Sequence, residues 1–156
     1  MLDSPTMPSL VEPRYGFVAA GLRLLATKGT LTELLLQATV YPIPHSAQAL
    51  LGVINHRGST VAVFDVTAQP KQRVNLLSPV CNVLVFGEAE HRVGLVLQEA
   101  PQLMEIEPVH PVPDLPASHL QAFLKQAWLS SGANAAVWWD FDYQAAFRSL
   151  GINLPL

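Results

Sequence analysis

The stretch Leu50 to Val66, LLGVINHRGSTVAVFDV, sets two apolar, β-rich runs on either side of one polar knot, Asn55-His56-Arg57-Gly58. Val53-Ile54 leads in, and Val61-Ala62-Val63-Phe64 leads out with branched and aromatic side chains suited to a pleated, half-buried surface. Asn and Gly tolerate a left-handed backbone, so Asn55 and Gly58 are the residues expected to reverse the chain. Arg57 then stands at the tip of a turn held by two strands. Its planar, five-donor head is free to meet a carboxylate or a carbonyl. The alternative is a solvated turn arginine, and the stretch alone leaves both readings open.

Outward from this hairpin, the chain reads as many short strands. Gly16 to Ala20 and Leu22 to Thr27 are two candidates, with Lys28-Gly29 as a turn. Leu34-Leu35-Leu36 alone does not separate helix from strand. Tyr41-Pro42-Ile43-Pro44 follows, and each proline pushes the residue before it out of the helical region, so a strand is expected over Glu33 to Thr39. Ser46 to Leu50 reads as one helical turn, and Thr67 to about Ser78 as a polar loop. Val80 to Phe86 and Arg92 to Leu97 form a second hairpin across Gly87 to His91, and Leu103 to Ile106 is one more short strand. Pro101, Pro108, Pro111, Pro113 and Pro116 predict a stiff, extended crossover between two parts of the fold.

Two helices are expected near the end. Ser118 and Gln121 have capping-box spacing, and Leu120, Phe123, Leu124, Ala127 and Trp128 share one helical face. Val137 to Phe141 alternates as a strand, with one of Trp138 and Trp139 in the core and the other on the surface. Asp142 caps a last helix over Tyr143 to Leu150, with Ala146, Phe147 and Leu150 inward and Gly151 closing it. The sum is a mainly β barrel or pair of barrels. Residues 1–13 read as a flexible, proline-rich tail and 14–150 as the domain.

Composition narrows the function. The chain has 156 residues and can bury roughly 68–70% of its unfolded surface. It is 50% hydrophobic and only 13% charged, so much of its surface must be apolar or neutral, as on a protein that covers surface with partners. A net charge of −3 supplies no basic footprint for nucleic acid. No apolar run approaches the roughly 20 residues of a membrane span, and Asp3 stands where a signal peptide carries a cation. One cysteine, Cys81, fits a reducing compartment and a structural role in its strand; cytoplasmic location is the default. The five histidines show no zinc-ligand spacing. His110, Asp114 and His119 are near in sequence, but they sit in the proline-rich crossover. No carboxylate pair, phosphate-cradling loop or nucleophile signature is present, so no cofactor and no metal is expected.

The order Pro44…Leu51-Gly52-Val53-Ile54-Asn55-His56-Arg57-Gly58…Val61-Ala62-Val63-Phe64-Asp65-Val66 resembles the signature of the CheW family, coupling proteins of bacterial chemosensory arrays. Leu31-Thr32-Glu33-Leu34 is similar to the family's hydrophobic-x-Glu-hydrophobic strand, and Glu33 precedes Arg57 by the family's interval of 24 positions. Val83 to Phe86 and Val93 to Leu97 look like its second-barrel hairpin. His56 departs from the pattern, standing where the family has an aliphatic residue.

The resemblance implies a mainly β fold of two small five-stranded, SH3-like barrels sharing an apolar seam, with short helices including one at the C-terminus. It implies a non-catalytic adaptor that couples the cytoplasmic tip of a chemoreceptor to the regulatory domain of a CheA-type histidine kinase. The residues matching Leu31, Glu33, Asn55, Arg57 and Gly58 would be the partner-binding set, with Glu33 holding the Arg57 guanidinium. An adaptor of a type IV pilus or twitching-motility pathway, or a generic β-barrel peptide-binding module, stays open as an alternative.

Overall fold

The computed structural model describes residues 12–43, 50–66 and 80–149, and they form ten strands and one short helix. The chain starts one barrel, builds a second sheet entirely, and then returns to close the first. β1 (Glu12–Ala19) and β2 (Leu22–Ala26) open the first barrel. β8 (Gln102–Pro108), β9 (Leu124–Ser130) and β10 (Val137–Phe141) complete it in the closed order β1-β2-β10-β9-β8. Between these halves lie β3 (Thr32–Thr39), β4 (Leu50–His56), β5 (Ser59–Phe64), β6 (Val80–Phe86) and β7 (Val93–Leu97), ordered β3-β6-β7-β5-β4. A bridge between Tyr41 and Val53 links the chain beyond β3 back to β4. Gly52 makes that approach possible, since a Cβ there would stand 2.3 Å from the Tyr41 carbonyl oxygen.

Strand alternation sorts the apolar residues into three cores. Leu25, Ile106 and Trp138, with Val18, Met104 and Trp128 against them, come from all five strands of the first barrel and fill its interior. Val40, just beyond β3, with Ile54, Val61, Val63, Val83 and Val85 of β4, β5 and β6 form the core of the second sheet, and Val96 of β7 packs against them. The largest core lies between the two. It takes Phe17, Leu24, Trp139 and Phe141 from one side and Phe64, Phe86 and Leu95 from the other. The helix α1 (Tyr143–Ser149) adds Tyr143, Ala146 and Phe147 to this seam. Phe86 meets Phe17 edge-on at 5.6 Å between ring centres and stacks on Tyr143 at 4.9 Å. The expected apolar seam between two five-stranded units is therefore the main core of the molecule.

Several expectations need correction. The segment read as a helix from Ser118 is a single 3-10 turn, Gln121–Phe123, followed by β9. Its apolar residues matched a helical face because the strand's parity slips: the register shifts between Trp139 and Phe141, so Leu124 and Ala127 both face the seam although three positions separate them. Barrel closure decides the matter, because β8 and β10 both need a strand between them.

Nor is the proline-rich segment as a whole a crossover between the two units. Pro101 lies in the short link from β7 to β8, which does pass between the units. Pro111, Pro113 and Pro116 lie in an excursion between β8 and β9, which are paired neighbours, and this excursion touches the second unit where His119 Nε2 meets the Val66 carbonyl at 2.9 Å. Both Trp138 and Trp139 are buried, because one side of β10 faces the barrel interior and the other faces the seam. The last helix begins as expected, with Asp142 Oδ1 accepting from the Ala145 backbone N–H at 3.1 Å. Leu150 and Gly151, the loop over 67–78, residues 46–49 of the expected turn over Ser46 to Leu50 and residues 1–11 of the expected tail lie outside the described residues. Leu50 itself opens β4, and Glu12 and Pro13 belong to β1.

Apolar side chains also stand in water. Leu36 and Val80 are 68% and 61% exposed on the second sheet. Tyr15 and Leu103, 54% and 63% exposed, are cross-strand partners on the first barrel. Among the described residues no helix is long and apolar enough to cross a membrane.

Candidate functional site

The opening hairpin closes as a two-residue turn, with His56 paired to Ser59 and the central residues Arg57 and Gly58 at φ +54° and +79°. Two consecutive left-handed residues match the right-handed twist of the flanking strands, as in a type I′ turn. The expected left-handed pair was Asn55 and Gly58; Asn55 is instead a β4 residue opposite Thr60 and is exposed. Arg57 accepts the strain of positive φ, a conformation uncommon for a residue with a Cβ. That geometry aims its side chain across the sheet toward β3.

There it meets Glu33. Arg57 Nη2 lies 3.2 Å from each Glu33 carboxylate oxygen, with the arginine 72% and the glutamate 40% exposed. Glu33 has a second partner, which the sequence had not suggested. His56 Nε2 is 2.7 Å from Glu33 Oε2, and the imidazole is buried. Behind His56 stands Arg92, whose Nη1 is 2.7 Å from His56 Nδ1 and 3.1 Å from the His56 carbonyl oxygen. Arg92 Nε donates to the Ala89 carbonyl at 2.7 Å. The hydrogen bond with His56 is the first cause holding the Glu33 carboxyl below the ordinary carboxylate range; partial desolvation opposes it and the Arg57 charge reinforces it.

These groups line an open groove of about 720 Å³. Leu31, Thr32, Glu33 and Val85 border it on the sheet side, His56 and Arg57 at the turn, and Gly87, Glu88, Ala89 and Arg92 at the facing loop. Leu31 is 55% exposed, and its carbonyl is pinned by the Gly87 N–H at 2.9 Å. Of the five residues expected from the sequence, Leu31, Glu33 and Arg57 thus share one groove. Asn55 and Gly58 belong to the turn that presents it and are not part of its lining. His56 and Arg92 are the residues missed. The signal for His56 was its place in the motif, where an aliphatic residue is usual; Arg92 left no local sign.

Among the described residues no three His, Cys, Asp or Glu side chains are close enough to hold a metal ion. His110 and Asp114 are exposed, and Cys81 is half-buried on β6 opposite Ala38.

Compared with known families, residues 17–144 match the model of the CheW-like domain. The chain belongs to that family. The CheW scaffolding protein TtCheW from Thermoanaerobacter tengcongensis has a similar solved structure, at a TM-score of 0.54 and 15% identity, covering 83% of this chain and 87% of that one. At that identity the likeness shows the fold, two SH3-like units packed on a shared core. No curated protein matches the chain in sequence. The protein is thus a CheW-like scaffolding or adaptor domain, from a family without catalytic activity.

The depressed Glu33 pKa has a consequence for acid stability. Its folded value lies below its unfolded value, so the contribution of the network is complete above the unfolded value and is lost as pH falls through the folded one. A carboxyl-carbon NMR titration should place the Glu33 midpoint below that of glutamate in an unstructured peptide. His56→Ala should move it back up. An unshifted midpoint in the wild type would contradict the hydrogen bond.

Proposed function

We propose that this protein is a cytoplasmic adaptor that couples chemoreceptor tips to the regulatory domain of a CheA-type histidine kinase, and that the groove over β3 receives the receptor. The observation that carries this reading is the pairing of an exposed Leu31 with an Arg57 held by Glu33 on one rigid sheet. A helical partner can lay an apolar stripe against Leu31 and Val85, while the guanidinium fixes its register. A long, solvated arginine would be a poor register mark. One tied to a carboxylate has already lost much of its rotamer freedom, and less is lost again on binding.

An adaptor needs a second contact surface. The exposed pair Tyr15/Leu103 and the separately exposed Leu36 and Val80 supply apolar area away from the groove for the kinase domain and for neighbours in an array.

Titration of a receptor cytoplasmic fragment and of the kinase regulatory domain, each against wild type and Arg57→Ala, tests the assignment. Receptor affinity should fall by about 1–3 kcal/mol, the scale of a hydrogen bond to a charged group. Folding stability should change by no more than about 1 kcal/mol, as for an exposed ion pair. Kinase binding should be unchanged. Full receptor affinity in Arg57→Ala would remove the groove from the function.

A further inference from the structure

The groove's ion pair stands at the end of a longer chain of hydrogen bonds, whose middle member, His56, is buried. Arginine has five N–H donors and no acceptor. At 2.7 Å from Arg92 Nη1, His56 Nδ1 must therefore carry its lone pair, and the ring proton sits on Nε2. That proton points at Glu33 Oε2, 2.7 Å away. Donation runs in one direction, from Arg92 to His56 to Glu33, and Glu33 accepts from Arg57 on its other side. The imidazole is 6% exposed, so no solvent molecule substitutes easily for either neighbour. The charged groups around it are Glu33 on β3, Arg57 on the turn, and Arg92 and Glu88 on the loop before β7.

We propose that Arg92 is a positioning residue of the partner groove, which holds His56 in the Nε2–H tautomer and so fixes the Glu33 carboxylate that orients Arg57. The inference rests on the reading of the groove as the receptor site and adds to it a residue without contact with the Glu33–Arg57 pair. Arg92 also closes the groove mechanically. Its guanidinium spans from the Ala89 carbonyl to the His56 carbonyl, tying the loop wall to the turn wall. His56 stands where the family's motif has an aliphatic side chain. An aliphatic residue cannot relay a hydrogen bond, so this chain has replaced a packing contact by a directional one.

The test uses the full-length protein in three forms: wild type, Arg92→Met and Arg92→Lys. Long-range proton–nitrogen NMR spectra at mildly alkaline pH report the tautomer of His56, identified by its loss in His56→Gln. Wild type should show Nε2 protonated and Nδ1 bare. Arg92→Met should lose that single tautomer, and Arg92→Lys, which keeps a donor, should retain it. Receptor-fragment affinity should drop about 2–10-fold in Arg92→Met, the scale of one hydrogen bond, and recover most of that loss in Arg92→Lys. In a Glu33→Ala background Arg92→Met should cost nothing more, because the relay has no end to act on.

A single Nε2–H tautomer retained in Arg92→Met overturns the proposal. So does unchanged affinity in Arg92→Met where Arg57→Ala binds weakly, or a loss that simply adds to that of Glu33→Ala. Full affinity in Arg57→Ala is a different result, since it removes the groove reading itself, and the positioning role falls with it. Thermal unfolding of each variant checks that it is folded; should Arg92→Met not fold, the wild-type spectrum decides, since a His56 protonated on Nδ1 cannot accept from Arg92 Nη1 and overturns the proposal.

Discussion

Phe86→Ala should cost about 3–5 kcal/mol of folding stability, the range of large-to-small aromatic truncations in a packed core. The residue is 1% exposed and is the point where three parts of the fold meet. Its ring contacts Phe17 of the first barrel and both Tyr143 and Phe147 of α1, while its backbone belongs to β6 of the second unit. None of these rings can close on the gap without dragging its own strand or helix, so relaxation is limited and the cavity term stays large. Urea denaturation of wild type, Phe86→Leu and Phe86→Ala measures it. We expect one cooperative transition in each, with midpoints falling in that order and similar slopes. Two separated transitions in Phe86→Ala would mean that the two five-stranded units fold independently. A loss below about 1 kcal/mol would mean that the seam repacks and is not the main core.

The same seam explains what could be read in the sequence and what could not. Strands such as Val80–Phe86 and Val93–Leu97 were legible because branched and aromatic residues fill them and turn formers bound them. Leu124–Ser130 was not, because Lys125 and Gln126 are consecutive and exposed, and the irregularity shifts its buried residues to a spacing shared with helices. Local pattern gives no warning of such a slip; only the need for a fifth strand does. The site divides similarly. Glu33 and Arg57 were found through a motif, and the structure brings them together at 3.2 Å. Arg92 lies 36 positions from His56, and a spacing set by two sheet registers leaves no trace in either neighbourhood.

The interior of the first barrel yields a prediction of similar size from a different cause. Arg14, 7% exposed on β1, pairs with Asp140 of β10 and donates to the Ala26 carbonyl at the end of β2. Asp140 also accepts from Trp128 Nε1 of β9 at 2.9 Å, so this one network reaches four of the barrel's five strands. Removing one member of a buried pair leaves the other charged and uncompensated, which typically costs about 3–5 kcal/mol. Arg14→Met keeps the aliphatic stem and removes the charge, and should lose about that much. Arg14→Met/Asp140→Leu removes both charges and should recover most of the loss, since an apolar replacement of a buried pair is often neutral or better. Denaturation midpoints of the two variants against wild type decide it. If Arg14→Met loses less than about 1 kcal/mol, water reaches Asp140 and the pair behaves as a surface one. The groove offers a control on the interpretation. The residues that line it, from Leu31 to Arg92, all belong to the second unit, so folded Arg14→Met should bind a receptor fragment as tightly as wild type. Weak binding by the folded variant would show that the first barrel shapes the groove through the seam.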